Sequence, residues 1–429
     1  MKIQSVKGTR DFYPPVMAVR NFILDGWKSA SLRNGFEEYD GPIFEYLKMY
    51  QVKSGDEIVE QLFNFTDRGG RHLAIRPEIT PTLARMVNKQ INALPRPIKW
   101  FSMPRICRAE RPQKGRLREF FQWNIDIIGS ESILADAEVI YCTIDYLRSL
   151  GLTSNDIKAK ISSRKLLAAF LLDIGIAADK LESLYPILDK KPKLPEDAFV
   201  EMLQKAVEDI AKAATIKKFM ELSDISEIVG IFTPSEEAKV ALKELSDLMD
   251  ILGQMSIGDY CVFDPCIVRG LAYYTGIVFE VHDAVGSLRA VAGGGRYDNL
   301  LGDFGGPKVS GTGMGMGDCV LEILLREKGL IDGELPTKNL DYFIACLDND
   351  LQPEALQLAA QLRHAGFATD FSYKATGLKK QLKQASAANS AKCVIIGEEF
   401  KEKSLFVVKD MGTSEQQLLT KEQLIEAAK

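Results

Sequence analysis

Along Phe120-Phe121-Gln122-Trp123-Asn124-Ile125-Asp126-Ile127, apolar and polar residues alternate with a period of two. Successive side chains of a strand point to opposite faces, so Phe121, Trp123, Ile125 and Ile127 share one face and Gln122, Asn124 and Asp126 the other. Two readings fit: a half-exposed sheet with a wet side, or the polar floor of a pocket where an amide and a carboxylate converge on a small ligand. The preceding segment tilts the balance to the pocket. Arg108-Ala109-Glu110-Arg111-Pro112-Gln113-Lys114-Gly115-Arg116-Leu117-Arg118 places five basic residues between two strand-like runs. A solvated charge run is the plain alternative. Arginines returning beside a polar strand face are, however, what phosphate chemistry requires, because guanidinium groups hold phosphate oxygens in fork geometry and stabilise charge developing on them. Phe120, at the end of this loop, offers an aromatic face to a purine.

Three glycine-bearing stretches add to this. Gly311-Thr312-Gly313-Met314-Gly315-Met316-Gly317 has glycine at every second position, which strips one strand face of side chains. Such a strand needs a neighbouring element or a planar ligand such as adenine on the vacated face. It lacks the Gly-Lys-Ser/Thr of a phosphate-cradling loop, and no strand–turn–helix unit of the dinucleotide-binding kind surrounds it. Gly293-Gly294-Gly295-Arg296-Tyr297-Asp298 reads most simply as a glycine-rich hairpin turn, with close approach of backbone to a ligand as the alternative. Val268-Arg269-Gly270-Leu271-Ala272-Tyr273-Tyr274-Thr275-Gly276, before a strand, combines one arginine with two tyrosines.

The elements that must position these residues follow from periodicity and punctuation. A helix is expected over 16–33, closed by Asn34-Gly35, then a strand over 36–39. A hairpin is expected from 62–65 and 72–76 across Asp67-Arg68-Gly69-Gly70, and a helix from Thr80 with Pro81 in its first turn. Strands over 99–107 and 120–128 flank the basic loop; a helix over 135–149 and a strand over 157–161 follow. Residues 164–255 are rich in Ala, Leu, Lys and Glu and read as a helical insertion. Strand patterning returns at 260–263 and 277–282. Beyond the polar Gly333-Glu334-Leu335-Pro336-Thr337, strands and helices alternate, which suggests a small α/β domain with a mixed sheet.

The chain has 429 residues, 46% apolar and 26% charged, with a formal net charge of -5: an ordinary globular mix that neither supports nor excludes a nucleic-acid partner. Seven scattered cysteines without a Cys-x-x-Cys pair, and three distant histidines, give no zinc spacing, so no protein-held structural metal site is expected. The thiols fit a reducing compartment. The N-terminus lacks an apolar signal segment and no apolar run is long enough for a membrane span, so the expected location is cytoplasmic, with no membrane partner.

In this order, the stretches resemble the histidyl-tRNA synthetases, a class II aminoacyl-tRNA synthetase family. Lys7-Gly8-Thr9-Arg10-Asp11-Phe12-Tyr13-Pro14 resembles the family's opening; Gly35 to Pro42 with Glu45 resembles motif 1, a dimer-interface element; Arg76-Pro77-Glu78-Ile79-Thr80 resembles the segment that binds the amino acid; and the basic loop resembles motif 2. Arg269 to Gly276 and Gly293 to Asp298 resemble the two stretches peculiar to the histidine enzyme. The resemblance implies an α+β catalytic domain on an antiparallel sheet (1–163 and 256–332), interrupted by the helical insertion (164–255) and followed by an α/β anticodon-binding domain (337–429). It implies ATP-dependent activation of L-histidine and transfer to tRNA(His), Mg2+ accompanying ATP, and a homodimer.

By the same resemblance, Glu78, Thr80 and Gln122 would hold the substrate's α-amino group. Asp126 and Tyr274 would bond the two imidazole nitrogens, and Tyr273 would wall the pocket. Arg108 would contact the α-phosphate and the substrate carboxylate, with Arg269 opposite it across the reacting phosphorus. Glu110 and Arg116 would serve ATP, Phe120 would stack on adenine, and Arg111 and Gln113 would meet the tRNA acceptor end. One departure stands out. Relatives usually read Gly-x-Glu-Arg at motif 3, the arginine gripping the γ-phosphate; here the residues are Gly315-Met316-Gly317-Asp318. Another residue, or a metal held by Asp318, would have to supply the grip, with Arg326 about two turns further along the helix. The alternative implied by that departure is a non-catalytic synthetase paralogue acting as a regulatory or histidine-sensing subunit.

Overall fold

The computed structural model describes residues 3–54, 62–269, 273–331 and 335–426. The chain divides into two compact units, Met1–Asp11 with Arg20–Asp332, and Phe12–Val19 with Gly333–Lys429. The strands of the first unit are β1 Glu37–Glu38, β2 Phe44–Tyr46, β3 Asn64–Thr66, β4 His72–Ile75, β5 Ile98–Ser102, β6 Arg105–Cys107, β7 Glu119–Ile128, β8 Ile157–Ser163, β9 Cys261–Phe263, β10 Ile277–Asp283, β11 Ala292–Tyr297 and β12 Gly311–Gly317.

The central sheet has the order β1-β5-β7-β12-β11-β10-β8-β9, with β6 also paired to β7. Every pairing is antiparallel except β1 with β5 and β8 with β9 at the two edges. The alternation in β7 works as its pattern predicts. Trp123 stacks on Trp27 with centroids 6.3 Å apart, meets Tyr146 edge-on at 5.4 Å, and donates its indole N–H to Ser31 Oγ at 2.8 Å. These partners lie on the helices Pro14–Arg33 and Ile133–Ser149, which cover the apolar face. The second face of the sheet is left to Gln122, Asn124 and Asp126.

Local details depart from the sequence expectation for identifiable reasons. The run over 99–107 splits at Pro104 into β5 and β6, since proline has no N–H for the ladder; its carbonyl still accepts from the Gln122 N–H at 3.1 Å. The expected strand over 36–39 shortens to β1. The three glycines Gly293, Gly294 and Gly295 form no turn: they occupy the middle of β11, paired on both sides. The expected hairpin forms as β3 and β4, the Asp67 carboxylate accepting from the N–H groups of Gly69 and Arg71, and β2 completes a separate three-stranded sheet.

Between β8 and β9 the described chain is helical, with Arg164–Asp173, Leu181–Leu188, Glu196–Val207, Ile210–Phe219 and Glu236–Gln254. Phe170 and Phe219 stack in its core at 4.1 Å. The second unit holds a five-stranded mixed sheet of β13 Leu340–Cys346, β14 Thr369–Phe371, β15 Ser390–Ile396, β16 Phe406–Asp410 and β17 Gln416–Leu419, in the order β14-β13-β15-β16-β17. The helix Gln352–His364 buries Leu358 and Leu362 against Ile344, Val394 and Phe406 on one face; Ala385, on the helix Leu378–Ala387, packs with Phe343 and Cys393 on the other. The strand β17 and the helices Glu398–Lys403 and Lys421–Glu426 carry no strong periodic signal and were not expected. Residues 332–334, of which 333 and 334 belong to the expected linker, lie outside the described residues.

Candidate active site

Register places the polar residues of β7 beside the glycines of two further strands. Asp126 pairs with Gly313, Asn124 with Gly315 and Gln122 with Gly317; Gly313 and Gly315 pair in turn with Gly295 and Gly293, and Gly293 with Glu280. Directly opposed residues of antiparallel strands project to the same side. One face of the sheet therefore carries carboxylates and amides separated by positions with no side chain.

The vacated space is filled by the site's own side chains. A Cβ on Gly293 would lie 2.2 Å from Arg269 Nη1, one on Gly313 2.1 Å from Asp126 Oδ1, one on Gly315 2.8 Å from Gln122 Nε2, and one on Gly295 2.9 Å from the Tyr274 ring. Glycine is required there so that an arginine, a carboxylate, an amide and a phenol can lie flat across the strands.

Arg269 sits in the left-handed backbone region, with φ 61°. Its guanidinium donates to Glu280 Oε1 at 2.7 Å and lies 5.6 Å from the centre of the Tyr274 ring. Burial works against this charge, yet Tyr274 and Glu280 outweigh it and the pKa of Arg269 rises. Burial likewise opposes the charge on Glu280, but His282, at 2.9 Å, and Arg269 hold its carboxyl down at about 2. The residues 270–272, within the expected histidine-specific stretch, lie outside the described residues. Further along it, Thr275 Oγ1 donates to Asp298 at 2.6 Å and the Thr275 N–H bonds the Arg296 carbonyl at 2.8 Å, which seats Tyr273 and Tyr274 against β11.

Asp126 is 3% exposed, and its Oδ1 accepts from the Tyr297 hydroxyl at 2.6 Å. Its Oδ2 is buried without a hydrogen-bond partner among the described residues. Burial, offset in part by the Tyr297 hydrogen bond, pushes this carboxyl up to about 7, with Glu78 adding to the rise. The Tyr273 hydroxyl reaches toward Glu78 Oε2 at 3.4 Å, and its ring meets that of Tyr297 edge-on at 6.0 Å. An acid with a spare acceptor, bonded to one phenol and sharing its cavity with two more, suits a ligand ring carrying N–H groups.

At the other end, the loop between β6 and β7 is shaped by its own backbone. Gln113 and Arg116 exchange both backbone hydrogen bonds at 2.9 Å around Gly115, whose φ is +72°. Arg108 donates to the Pro77 carbonyl at 3.0 Å and lies 5.2 Å from the Phe120 ring centre, and Arg116 is paired with Glu110.

One cavity of ≈ 1350 Å³ is lined by both groups: Glu78, Thr80, Gln122, Asp126, Tyr273 and Tyr274 together with Arg108, Glu110, Arg116, Phe120 and Arg269. Arg111 and Gln113 are not in this lining; Arg111 is exposed, and the Gln113 side chain accepts from Arg289 at 2.8 Å. The idea that Asp318 could hold a metal needs correction. Its Oδ2 accepts from Arg10 at 2.5 Å and its Oδ1 from the Phe121 N–H at 3.0 Å, it is 2% exposed, and it does not line the cavity. Nor does Arg326 reach the cavity, since it pairs with Glu322 one turn away. Among the described residues no cluster of three His, Cys, Asp or Glu side chains forms.

Three lining residues escaped the sequence reading. Tyr297 was visible only as part of a glycine-rich motif, although its alternation from Gly293 and Gly295 puts it on their face once a strand replaces the turn. Glu280 and His282 alternate in the same way along β10, a signal that was present but gave no reason to single them out.

Residues 8–317 match the family model described as histidyl-tRNA synthetase, and residues 341–429 that of an anticodon binding domain. The chain is 38% identical over 416 residues, 96% of its length and 83% of the relative's, to the chloroplastic/mitochondrial histidine–tRNA ligase of Arabidopsis thaliana. It is 37% identical over 424 residues to the histidine–tRNA ligase of Opitutus terrae, covering 98% and 97% of the two chains. The fold is similar to that of histidyl-tRNA synthetase from Nostoc sp., with a TM-score of 0.84 and 24% identity over 100% and 99% of the chains. It is also similar to a Bacillus halodurans protein described as an ATP phosphoribosyltransferase regulatory subunit/histidyl-tRNA synthetase, with a TM-score of 0.75 and 24% identity over 90% and 97%. The antiparallel sheet, the order of the motifs and these matches lead to one conclusion: the chain belongs to the histidyl-tRNA synthetase family.

Proposed function

We propose that this chain activates L-histidine with ATP, releasing pyrophosphate, and transfers the histidyl group to tRNA(His). The observation that carries the proposal is a single cavity with an acid-and-phenol end at Asp126 and an arginine end at Arg108, Arg116 and Arg269. Histidine seats its imidazole between Asp126 and Tyr274, with its ammonium at Glu78, Thr80 and Gln122. ATP lays its adenine on Phe120. The histidine carboxylate then attacks the α-phosphorus, and the bond to the bridging oxygen of pyrophosphate breaks.

Negative charge grows on the phosphate oxygens in that step. Arg108 and Arg269 stabilise it without a covalent nucleophile or a proton transfer. Glu280 keeps Arg269 aimed, and the raised pKa of Arg269 keeps it charged. Glu110, an oxygen donor on the same lining, would hold the Mg2+ that accompanies ATP, and the ion would supply positive charge against that of the triphosphate. In the second step a ribose hydroxyl of the tRNA end attacks the activated carbonyl and AMP leaves. Arg111 and Gln113, outside the cavity lining on the loop, guide the acceptor end.

Support for a homodimer comes from the small sheet, where Ile43, Phe44, Tyr46 and Phe65 are exposed apolar residues on and beside β2 and β3. The seven cysteines are all unpaired thiols, which suits a cytoplasmic location. Among the described residues no helix is long and apolar enough to cross a membrane. The regulatory-subunit alternative is not retained: the motif 3 aspartate that suggested it has a structural partner in Arg10.

ATP–pyrophosphate exchange measured with each of the twenty amino acids tests the proposal. Exchange with histidine alone is expected. Exchange with another amino acid, or with none, would overturn it.

A further inference from the structure

The departure at motif 3 leads to the N-terminal segment. Asp318 is the first residue of the helix Asp318–Glu327, directly after β12. Its carboxylate joins three pieces of chain. Oδ2 accepts from Arg10 Nη2 at 2.5 Å, and Oδ1 accepts from the Phe121 N–H at 3.0 Å and from Cys319 Sγ at 3.4 Å. The side chains of Arg10 and Asp318 are 20% and 4% exposed, so this is a mostly desolvated pair with little screening. Phe121 follows Phe120, the lining aromatic, whose ring lies 3.9 Å from where a Cβ on Gly317 would stand.

Two residues before Arg10, the chain grips the basic loop. The Gly8 carbonyl accepts from the Arg118 N–H at 2.9 Å, and a Cβ on Gly8 would stand only 2.7 Å from Pro112 Cγ and 3.0 Å from Arg118 Cγ. With φ at +90°, Gly8 passes between the two arms of the loop where another residue would be strained and crowded. Arg118 in turn bonds the Glu110 carbonyl through Nε at 3.1 Å and, through its own carbonyl, the Arg108 N–H at 2.8 Å. The linkage therefore runs Asp318, Arg10, Gly8, Arg118, Glu110 and Arg108. The cavity-lining residues Arg108, Glu110 and Arg116 all belong to the loop held by this strap.

We infer that Asp318 and Arg10 are positioning residues for ATP, a charged clamp that holds the N-terminal segment across the basic loop and so sets the phosphate-binding arginines and Phe120. This deepens the function proposed above and rests on it. In this chain residue 318 fixes the loop that carries the phosphate-binding arginines. An arginine at 318 would face Arg10, and the clamp would open.

The test compares Arg10→Gln, Arg10→Lys, Asp318→Asn and the exchanged pair Arg10→Asp with Asp318→Arg. Asp318→Asn keeps an oxygen for the Phe121 N–H and removes the charge. Measurements are the KM for ATP and for histidine in pyrophosphate exchange, the Kd of ATP by calorimetry, and amide hydrogen exchange over residues 108–118. Arg10→Gln and Asp318→Asn are expected to raise the KM and Kd of ATP about tenfold, a shift of the size found when one charged partner is lost. The KM for histidine stays within about twofold, and the loop amides exchange faster. Arg10→Lys and the exchanged pair recover part of the loss. Equal movement of both KM values, or an unchanged Kd for ATP in a folded Arg10→Gln protein, would overturn the inference. Wild-type protein without histidine-dependent exchange but with an intact ATP effect of the variants would instead sink the functional proposal and leave the clamp standing.

Discussion

In the proposed function, Asp126 is the residue on which recognition of an imidazole would turn. One oxygen is bonded to Tyr297, the other is buried without a partner among the described residues, and burial holds the acid near a pKa of about 7. A carboxylate is the better acceptor for an imidazole N–H, so affinity for histidine should fall as the pH drops through about 7 and Asp126 takes up a proton. In Asp126→Asn that enzyme-side inflection should vanish from the pH profile of the histidine KM, leaving only the substrate's own titration, while the KM itself rises sharply at pH 8. A retained inflection would assign it to another group. Stability carries the opposite sign. The folded pKa lies above the unfolded value, so the contribution is fully present below about pH 4 and is lost as pH rises through about 7. Arg269 is the second test at this scale. It occupies a left-handed backbone region that costs a non-glycine residue on the order of 1–3 kcal/mol, held there while its guanidinium is bonded to Glu280. Arg269→His should lower single-turnover adenylate formation by on the order of 10²–10³ with a smaller effect on binding. Near-normal single turnover would remove Arg269 from the chemistry.

At the scale of the strand, β11 shows how one motif serves two faces. Gly293 and Gly295 lie beneath Arg269 and Tyr274, while Arg296, on the other face, donates to Asp136 at 3.0 Å and to the carbonyls of Ser130 and Ser132 at 3.0 and 2.9 Å. Substitutions of adjacent glycines should therefore fail differently. A Cβ at Gly293 meets the tip of the Arg269 side chain, which can move; one at Gly294 meets the Gly313 carbonyl at 2.2 Å and the Met314 Cα at 2.8 Å, which cannot. Gly293→Ala should fold with nearly wild-type Tm and lose adenylate formation as severely as Arg269→His. Gly294→Ala should be destabilised by roughly 1–3 kcal/mol or more, read by thermal unfolding. Similar Tm losses in both would mean that the displaced Arg269 does not relax as described.

For the whole molecule, the two units suggest a division between activation and tRNA reading. Removing residues from 337 onward is expected to leave ATP–pyrophosphate exchange with histidine nearly intact. Charging of tRNA should weaken on the order of 10² or more, because the second site no longer contributes effective concentration. Equal loss of both activities would show that the catalytic unit does not act alone.

Much of this architecture could be read locally, because periodicity and residue chemistry are local properties. The two faces of β7 follow from alternation between Phe120 and Ile127, the basic loop from its charges, and the family from the order of the motifs. Even the error at Gly293 to Gly295 was local, since three glycines favour a turn until neighbouring strands claim them. What only the tertiary structure decided is which distant residues meet: Glu280 opposite Gly293, Asp126 opposite Gly313, Tyr297 on Asp126, and Arg10 on Asp318. Strand register and buried ion pairs join residues far apart in the chain, and no pattern within either segment states its partner. The motif 3 aspartate makes the point physically: by itself it reads as a lost cation, and beside Arg10 it becomes an anchor.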